Sequence, residues 1–406
     1  MTLSQLSLID ESIDILLDEG IIADSPKILD FFDDSIIQYL GRISSILLSD
    51  VRVREFPDVA TFAFWIREAS LTSKKNSYRD GFIRKGLGLV VHIAPSNVPI
   101  NFAFSWAFSL LAGNSNIVRV PTANFGQTTI ILDAIRSANK EDTFSRISSM
   151  SSFIRYERSL QISEKLFELA HARVIWGGDK TVADLSYLHS RTGSRLITFP
   201  DKYSFSVISA KAIVNIDEAG LKRLAHNFLN DAYLFDQNAC SSPRSIVWIG
   251  DQQEVISATR IFWNAVLNET SANYQLAPAN VVKKLALACE LVVKDSTLGE
   301  MKIESPEVYR FPSSKAYGRK SLTQSRFGIF PESRFSTLSE IVSVIHETCQ
   351  TITYFGFSES DFRLFFGKTS LIGVDRVVPI GQGLNMDMLW DGIDIPVTLS
   401  RVIDIR

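Results

Sequence analysis

Apolar positions along this chain change period several times, and the changes mark out its elements. Between about 81 and 208, short β-branched runs predict strands over 89–93, 117–120, 153–156 and 173–176. Helical spacing predicts helices over 102–111, 128–137 and 159–170. Strands alternating with helix-length amphipathic segments build a parallel sheet covered on both faces, so this half reads as a dinucleotide-binding domain. A second α/β region follows, with a helix over 218–230, a strand over 245–249 and helices over 254–267 and 277–293. The stretch 295–325 is rich in Ser, Lys and Gly and reads as a surface excursion. A helix over 338–349 and a strand near 352–357 come after it. Residues 1–75 read as several helices, the first amphipathic with Ile9, Ile13, Leu16 and Leu17 on one face.

One apolar segment needs separating from a membrane span. No Lys, Arg, Asp or Glu occurs from Gly86 to Val118, but Pro95, Asn97, Pro99, Asn101, Gly113, Asn114 and Asn116 punctuate it into strand, turn, helix, turn and strand. The N-terminus lacks the basic start of a secretory signal; nine acidic residues stand against Lys27 in the first forty. A net charge of −3 removes the long-range attraction on which nucleic-acid binding depends. The three cysteines, Cys240, Cys289 and Cys349, lack zinc or disulfide spacing, and no histidine pairs into a metal motif. A cytoplasmic protein without a metal is expected.

Three segments carry candidate chemistry. In His92 to Thr122, HIAPSNVPINFAFSWAFSLLAGNSNIVRVPT, Asn97 stands at a strand-to-helix turn, where a side-chain amide can face the crevice at the carboxyl ends of the strands. Val174 to Thr181 reads strand, Gly177-Gly178, helix start with Asp179, the arrangement that lets a phosphate approach backbone N–H groups. Phe235 to Arg244, FDQNACSSPR, follows a helix, precedes a strand and surrounds Cys240 with small and polar residues, as a reactive thiol requires. Cys289 and Cys349 read as filler in apolar helices. The five histidines read as core or surface residues, with His346 kept as a candidate for proton transfer.

From about Gly81 to the C-terminus these segments resemble the acyl-CoA and acyl-protein thioester reductase family, typified by the fatty-acid reductase of bacterial bioluminescence, a branch of the aldehyde dehydrogenase superfamily. Further matches are Asp201-Lys202-Tyr203-Ser204, Val374 to Gly381 and Trp390-Asp391-Gly392. The resemblance implies an α/β aldehyde-dehydrogenase-like fold, with a dinucleotide-binding domain over 76–208 and a catalytic domain over 209–370 after the helical segment that the pattern gives over 1–75. Residues 371–406 would return to the cofactor domain or an oligomer interface. It makes Cys240 the nucleophile and Asn97 an oxyanion donor. Pro95, Ser96, Arg119, Pro121, Gly177, Gly178 and Asp179 become cofactor contacts. Arg119 stands where the superfamily usually has a Lys near the adenosine ribose; its charge would suit a 2′-phosphate and favours NADPH.

Two departures narrow the expected reaction. The superfamily's Glu-Leu-Gly-Gly-Lys segment, whose Glu activates water, is replaced by Phe199-Pro200-Asp201-Lys202-Tyr203-Ser204. The Glu-x-Phe ribose motif has its nearest counterpart in Gln324-Ser325-Arg326-Phe327-Gly328. Without the base, thioester reduction to an aldehyde through a thioacyl-cysteine is expected. An acyl-CoA or acylated carrier protein would be the donor, an acyl-protein synthetase a companion, and a homo-oligomer the assembly. An aldehyde dehydrogenase forming free acid, and a non-catalytic acyl-carrying subunit, are the rival readings.

Overall fold

A computed structural model describes residues 12–21, 25–78, 81–95, 97–313 and 324–406. The chain divides into two compact units, Met1–Pro200 with Ile393–Arg406, and Asp201–Gly392.

In the first unit, β1 (Asp14–Asp18) precedes helices α1 (Asp34–Ser49), α2 (Pro57–Trp65) and α3 (Glu68–Ser77). Then come β2 (Ile83–Gly86), β3 (Leu89–Ile93), α4 (Asn101–Leu111), β4 (Ser115–Arg119), α5 (Gly126–Ala138), β5 (Ser151–Arg155), α6 (Leu160–Leu169), β6 (Ala172–Trp176), α7 (Asp179–Ser186) and β7 (Arg195–Phe199). The sheet runs β1-β5-β4-β3-β6-β7, parallel except for β1. Chain order therefore reverses between β3 and β6, which makes the crevice there the expected ligand position of an open α/β sheet. Every residue of α4 is buried, and a helix this apolar, without a single charged residue, is stable only in such a place. It ends at Gly113, whose φ is +89° and where any Cβ would run into the Leu29 carbonyl oxygen, so only glycine fits.

The expected N-terminal helix is corrected in its described part. Ile13 and Leu17 are buried in an extended segment paired with β5, not on one helical face; Ile9 lies outside the described residues. Apolar residues four apart fit both periods, and the pairing decides between them.

The second unit contains β8 (Tyr203–Ser209), α8 (Ala210–Val214), α9 (Glu218–Tyr233), β9 (Pro243–Ile249), α10 (Gln252–Asn273), α11 (Pro278–Lys294), β10 (Lys302–Ser305) and β11 (Val308–Pro312). It continues with β12 (Ile329–Phe335), β13 (Cys349–Phe355), α12 (Glu359–Gly367) and β14 (Arg376–Pro379). The sheet order is β10-β11-β12-β9-β8-β13-β14, parallel except for the β10–β11 pair. One face buries Phe228, Phe262, Trp263 and Phe330 under α9 and α10; the other buries Phe205, Ile352 and Phe362.

The division falls earlier than the expected 208, because β8 pairs with β9 and β13 instead of extending the first sheet. Residues 371–406 also divide: β14 joins the second sheet, while β15 (Ser400–Ile403) pairs with β2. The helix expected over 338–349 is a 3₁₀ turn, Leu338–Val344, after which Cys349 opens β13. Part of the expected surface excursion at 295–325 is core: β11 lies between β10 and β12 with Val308 and Phe311 buried. There Arg310 donates from Nε to Glu332 Oε1 at 2.5 Å and from Nη1 to Glu304 Oε1 at 2.7 Å, and Trp248 Nε1 donates to Glu332 Oε2 at 3.0 Å. Charge in this stretch suggests solvent, but these charges are paired. Arg310→Met should therefore cost about 3–5 kcal/mol in chemical denaturation by stranding Glu332, and adding Glu332→Leu should recover part of it. A loss below about 1 kcal/mol, as for a surface pair, would contradict the buried arrangement.

Candidate active site

Cys240 sits in the loop between α9 and β9, and the loop's shape is unusual. Asp236 and Gln237 have φ of 51° and 60°, a left-handed conformation that non-glycine residues seldom adopt. The fully buried Gln237 holds it: Nε2 donates to the Pro243 carbonyl at 2.9 Å and the Ile329 carbonyl at 3.1 Å, while Oε1 accepts from the Gly328 N–H at 2.9 Å. The Asp236 carboxylate accepts from Tyr274 Oη at 2.5 Å and Asn280 Nδ2 at 3.1 Å, and its carbonyl accepts from Phe327 N–H at 3.1 Å. The 324–328 stretch, expected as the counterpart of a cofactor motif, thus also braces the cysteine loop. Ser204 Oγ donates to the Cys240 carbonyl at 2.8 Å and accepts from Thr351 N–H at 3.1 Å. Cys240 is fixed near the amino ends of β8, β9 and β13.

Its sulfur faces a polar chain. The buried Gln350 donates from Nε2 to Cys240 Sγ at 3.3 Å and also to Asp391 Oδ1. Lys202 Nζ pairs with Asp375 Oδ2 and stands 3.9 Å from Asp391 Oδ2. Burial, reinforced by the Asp391 charge, pushes the Cys240 thiol up to about 11; the Gln350 N–H and the Arg244 charge oppose the rise. Burial likewise pushes Asp391 up to about 6, against Lys202 and the Gln350 bond, with Asp375 adding to the rise. Arg244 is lowered to about 10, first by burial and then by Arg326. At neutral pH the resting site therefore holds a protonated thiol beside a carboxylate.

In the first unit, the expected cofactor segments lie at the carboxyl ends of three neighbouring strands. Pro95 and Asn97 follow β3, with Asn97 exposed; Ser96 lies outside the described residues. Arg119 ends β4, donates from Nη2 to the Tyr156 carbonyl at 3.0 Å and lies over the Tyr156 ring at 4.9 Å; Pro121 follows, its carbonyl accepting from Arg155 Nε at 3.2 Å. Gly177 and Gly178 join β6 to α7, and a Cβ on Gly177 would come within 3.0 Å of Thr181. Gly178 caps α7 with no side-chain bond, and Asp179 occupies the first turn, where its carboxylate complements the helix dipole.

The motifs Asp201 to Ser204, Val374 to Gly381 and Trp390 to Gly392, matched in the sequence without assigned roles, meet at Cys240 through Lys202, Ser204, Asp375 and Asp391. Gln350 carries no motif and escapes sequence reasoning; only its place as the second residue of β13 reveals it. Cys240 and Asn97 belong to different units. His92 is a core residue, its ring nitrogens bonded to Ser105 Oγ at 2.8 Å and Asn116 Oδ1 at 3.1 Å and its pKa pushed down to about 4 by burial. Neither spare cysteine is helix filler as expected: Cys289 is exposed on α11, and Cys349 is buried at the head of β13.

A family model described as acyl-CoA reductase (LuxC) matches residues 69–402. Similar curated proteins include long-chain acyl-protein thioester reductase 2 of Photobacterium leiognathi, 20% identical over 73% of this chain and 59% of its own length. The long-chain acyl-protein thioester reductase of Aliivibrio fischeri is 21% identical over 73% and 58%. This chain thus spans somewhat under two thirds of the length of these relatives. Among solved structures, aldehyde dehydrogenase 21 of Physcomitrella patens in complex with succinate superposes with a TM-score of 0.63 at 13% identity, covering 91% of this chain and 85% of its own. Staphylococcus aureus AldH gives 0.58 at 14%, covering 91% and 88%. These likenesses establish the aldehyde-dehydrogenase fold. Alkylation of Cys240 by iodoacetamide, followed by peptide mass mapping, should rise with pH to about 11, and Gln350→Ala should move the curve upward by removing the N–H that favours thiolate. A plateau already reached by pH 8 would contradict this environment.

Proposed function

The chain belongs to the acyl-CoA reductase (LuxC) family, and we propose that it reduces an acyl thioester, of the fatty-acyl class, to the aldehyde through a thioacyl intermediate on Cys240. The observation that carries the reading is the Cys240 thiol, held rigidly near the amino ends of three strands with the Gln350 N–H on its sulfur. The relatives are named for acyl-protein thioesters, which supports an acylated protein as donor beside acyl-CoA.

In this mechanism Sγ, once deprotonated, attacks the thioester carbonyl. By the family resemblance the Asn97 side-chain amide and the Cys240 backbone N–H are the oxyanion donors, and expulsion of the donor thiol leaves the acyl group on sulfur. Family and fold imply a nicotinamide dinucleotide, and the first unit's residues suit one. The opening turn of α7 offers backbone N–H groups to a phosphate, Gly177 and Gly178 lead into it without side chains, and Arg119 puts a cation at the end of β4. When bound, this cofactor supplies the hydride that reduces the acyl group. Arg119 favours NADPH by offering its charge to a 2′-phosphate. Replacing the water-activating Glu by the Asp201-Lys202 segment favours transfer between thiols over hydrolysis.

Purified protein given NADPH and a series of acyl-CoA thioesters should consume NADPH and form aldehyde, with none from Cys240→Ala. Asn97→Ala should lose roughly 10²–10³ in turnover while staying folded. Free acid as the product, or full turnover in Cys240→Ala, would refute the reading. Arg119→Leu should weaken NADPH binding in equilibrium titration much more than NADH binding, and an equal effect on both would remove Arg119 from the choice.

A further inference from the structure

We propose that Asp391 is the proton acceptor of Cys240 and returns that proton to the departing thiol, with Gln350 and Lys202 as its positioning residues. The inference rests on the acyl-transfer reading above and assigns the proton step that reading leaves open.

The geometry carries it. One nitrogen, Gln350 Nε2, donates to both Cys240 Sγ and Asp391 Oδ1. Sulfur and carboxylate therefore lie no farther apart than two hydrogen bonds end to end, a gap that one water or a small displacement bridges. The Asp391 side chain is nearly buried, and its other oxygen faces Lys202, which Asp375 holds in turn. Three separate chain segments, at 202, 350 and 375–391, are thus committed to orienting this one carboxylate. The charged groups bearing on Asp391 are Lys202 and Asp375; those bearing on Cys240 are Asp391 and Arg244, the latter flanked by Arg326 and Asp201. Asp391 is the carboxylate among them that shares a donor with the sulfur.

The step balances. The S–H proton passes to the Asp391 carboxylate as the sulfur lone pair forms the new S–C bond. When the donor's C–S bond breaks, its thiolate takes the proton from the Asp391 carboxylic acid, restoring the carboxylate. No electrons are exchanged. A thiol titrating near 11 supplies almost no thiolate at neutral pH, so a nearby base loaded with its proton near 6 answers a need the site creates.

The test measures single-turnover acylation of Cys240 by an acyl-CoA without NADPH, using intact-mass spectrometry across pH. In wild type the rate should rise through about pH 6, where Asp391 ionises, and stay flat through neutrality. Asp391→Asn should lose that rise, fall by roughly 10²–10⁴ at pH 7, and accelerate only toward the titration of the thiol. Lys202→Met, which removes the cation favouring the carboxylate, should shift the wild-type rise to higher pH. An Asp391→Asn enzyme that keeps the wild-type profile, or a Lys202→Met profile that does not move, would overturn the assignment. Iodoacetamide alkylation keeps the outcomes separate from folding and from the reading beneath. If Asp391→Asn folds with its thiol in place, its alkylation curve should move to lower pH, because a repelling charge has gone. Should wild-type Cys240 fail to acylate with any thioester, the acyl-transfer reading fails. An unmoved alkylation curve in Asp391→Asn would then separately disprove the coupling between carboxylate and thiol.

Discussion

The buried carboxamide of Gln237 holds the rest of the reactive architecture in place. It and Asp236 adopt left-handed backbone conformations a few residues before Cys240, each costing on the order of 1–3 kcal/mol. Three hydrogen bonds from one fully buried amide, to the starts of β9 and β12 and to Gly328, offset that strain at about 1 kcal/mol each. Leaving those backbone groups unsatisfied would add about 1–3 kcal/mol apiece. The loop is therefore rigid where it turns, and Cys240 inherits a fixed position.

Fixing the thiol by burial has a chemical cost, because the environment that places Cys240 also disfavours its ionised form. The structure meets this locally. Gln350 offers the sulfur a donor, Arg244 offers a positive charge, and Asp391 lies on the same amide with Lys202 beyond it. A protected acyl-sulfur bond needs dry surroundings, whereas making it needs a path for a proton. A short polar chain from Cys240 to Lys202 serves both requirements, since its members are bonded to one another and largely withdrawn from solvent.

Much of this was legible in the sequence because the informative signals were local. Alternating periods gave β3, α4 and β6 nearly to the residue, and small polar neighbours separated Cys240 from the other two cysteines. What escaped notice depended on distant partners. β1 resembles a helix until Arg155 and its neighbours pair with it; β11 resembles a surface loop until Glu332 neutralises Arg310. Gln350 stands in an ordinary β-strand pattern, and only the parallel pairing of β13 with β8 sets it beside Ser204 and Cys240. Lys202 and Asp391 lay in separate matched motifs to which the resemblance gave no role, and the structure sets both in one polar chain with Gln350 and Cys240.

The central claim is that Cys240 carries the acyl group between donor and reduction. Intact and peptide mass spectrometry of protein mixed with a fatty acyl-CoA, first without and then with NADPH, tests it directly. The account predicts an acyl adduct on the peptide containing Cys240 that persists without reductant and disappears on adding NADPH as an equal amount of aldehyde forms. Aldehyde formed with no adduct on Cys240, or an adduct that NADPH leaves in place, would contradict it.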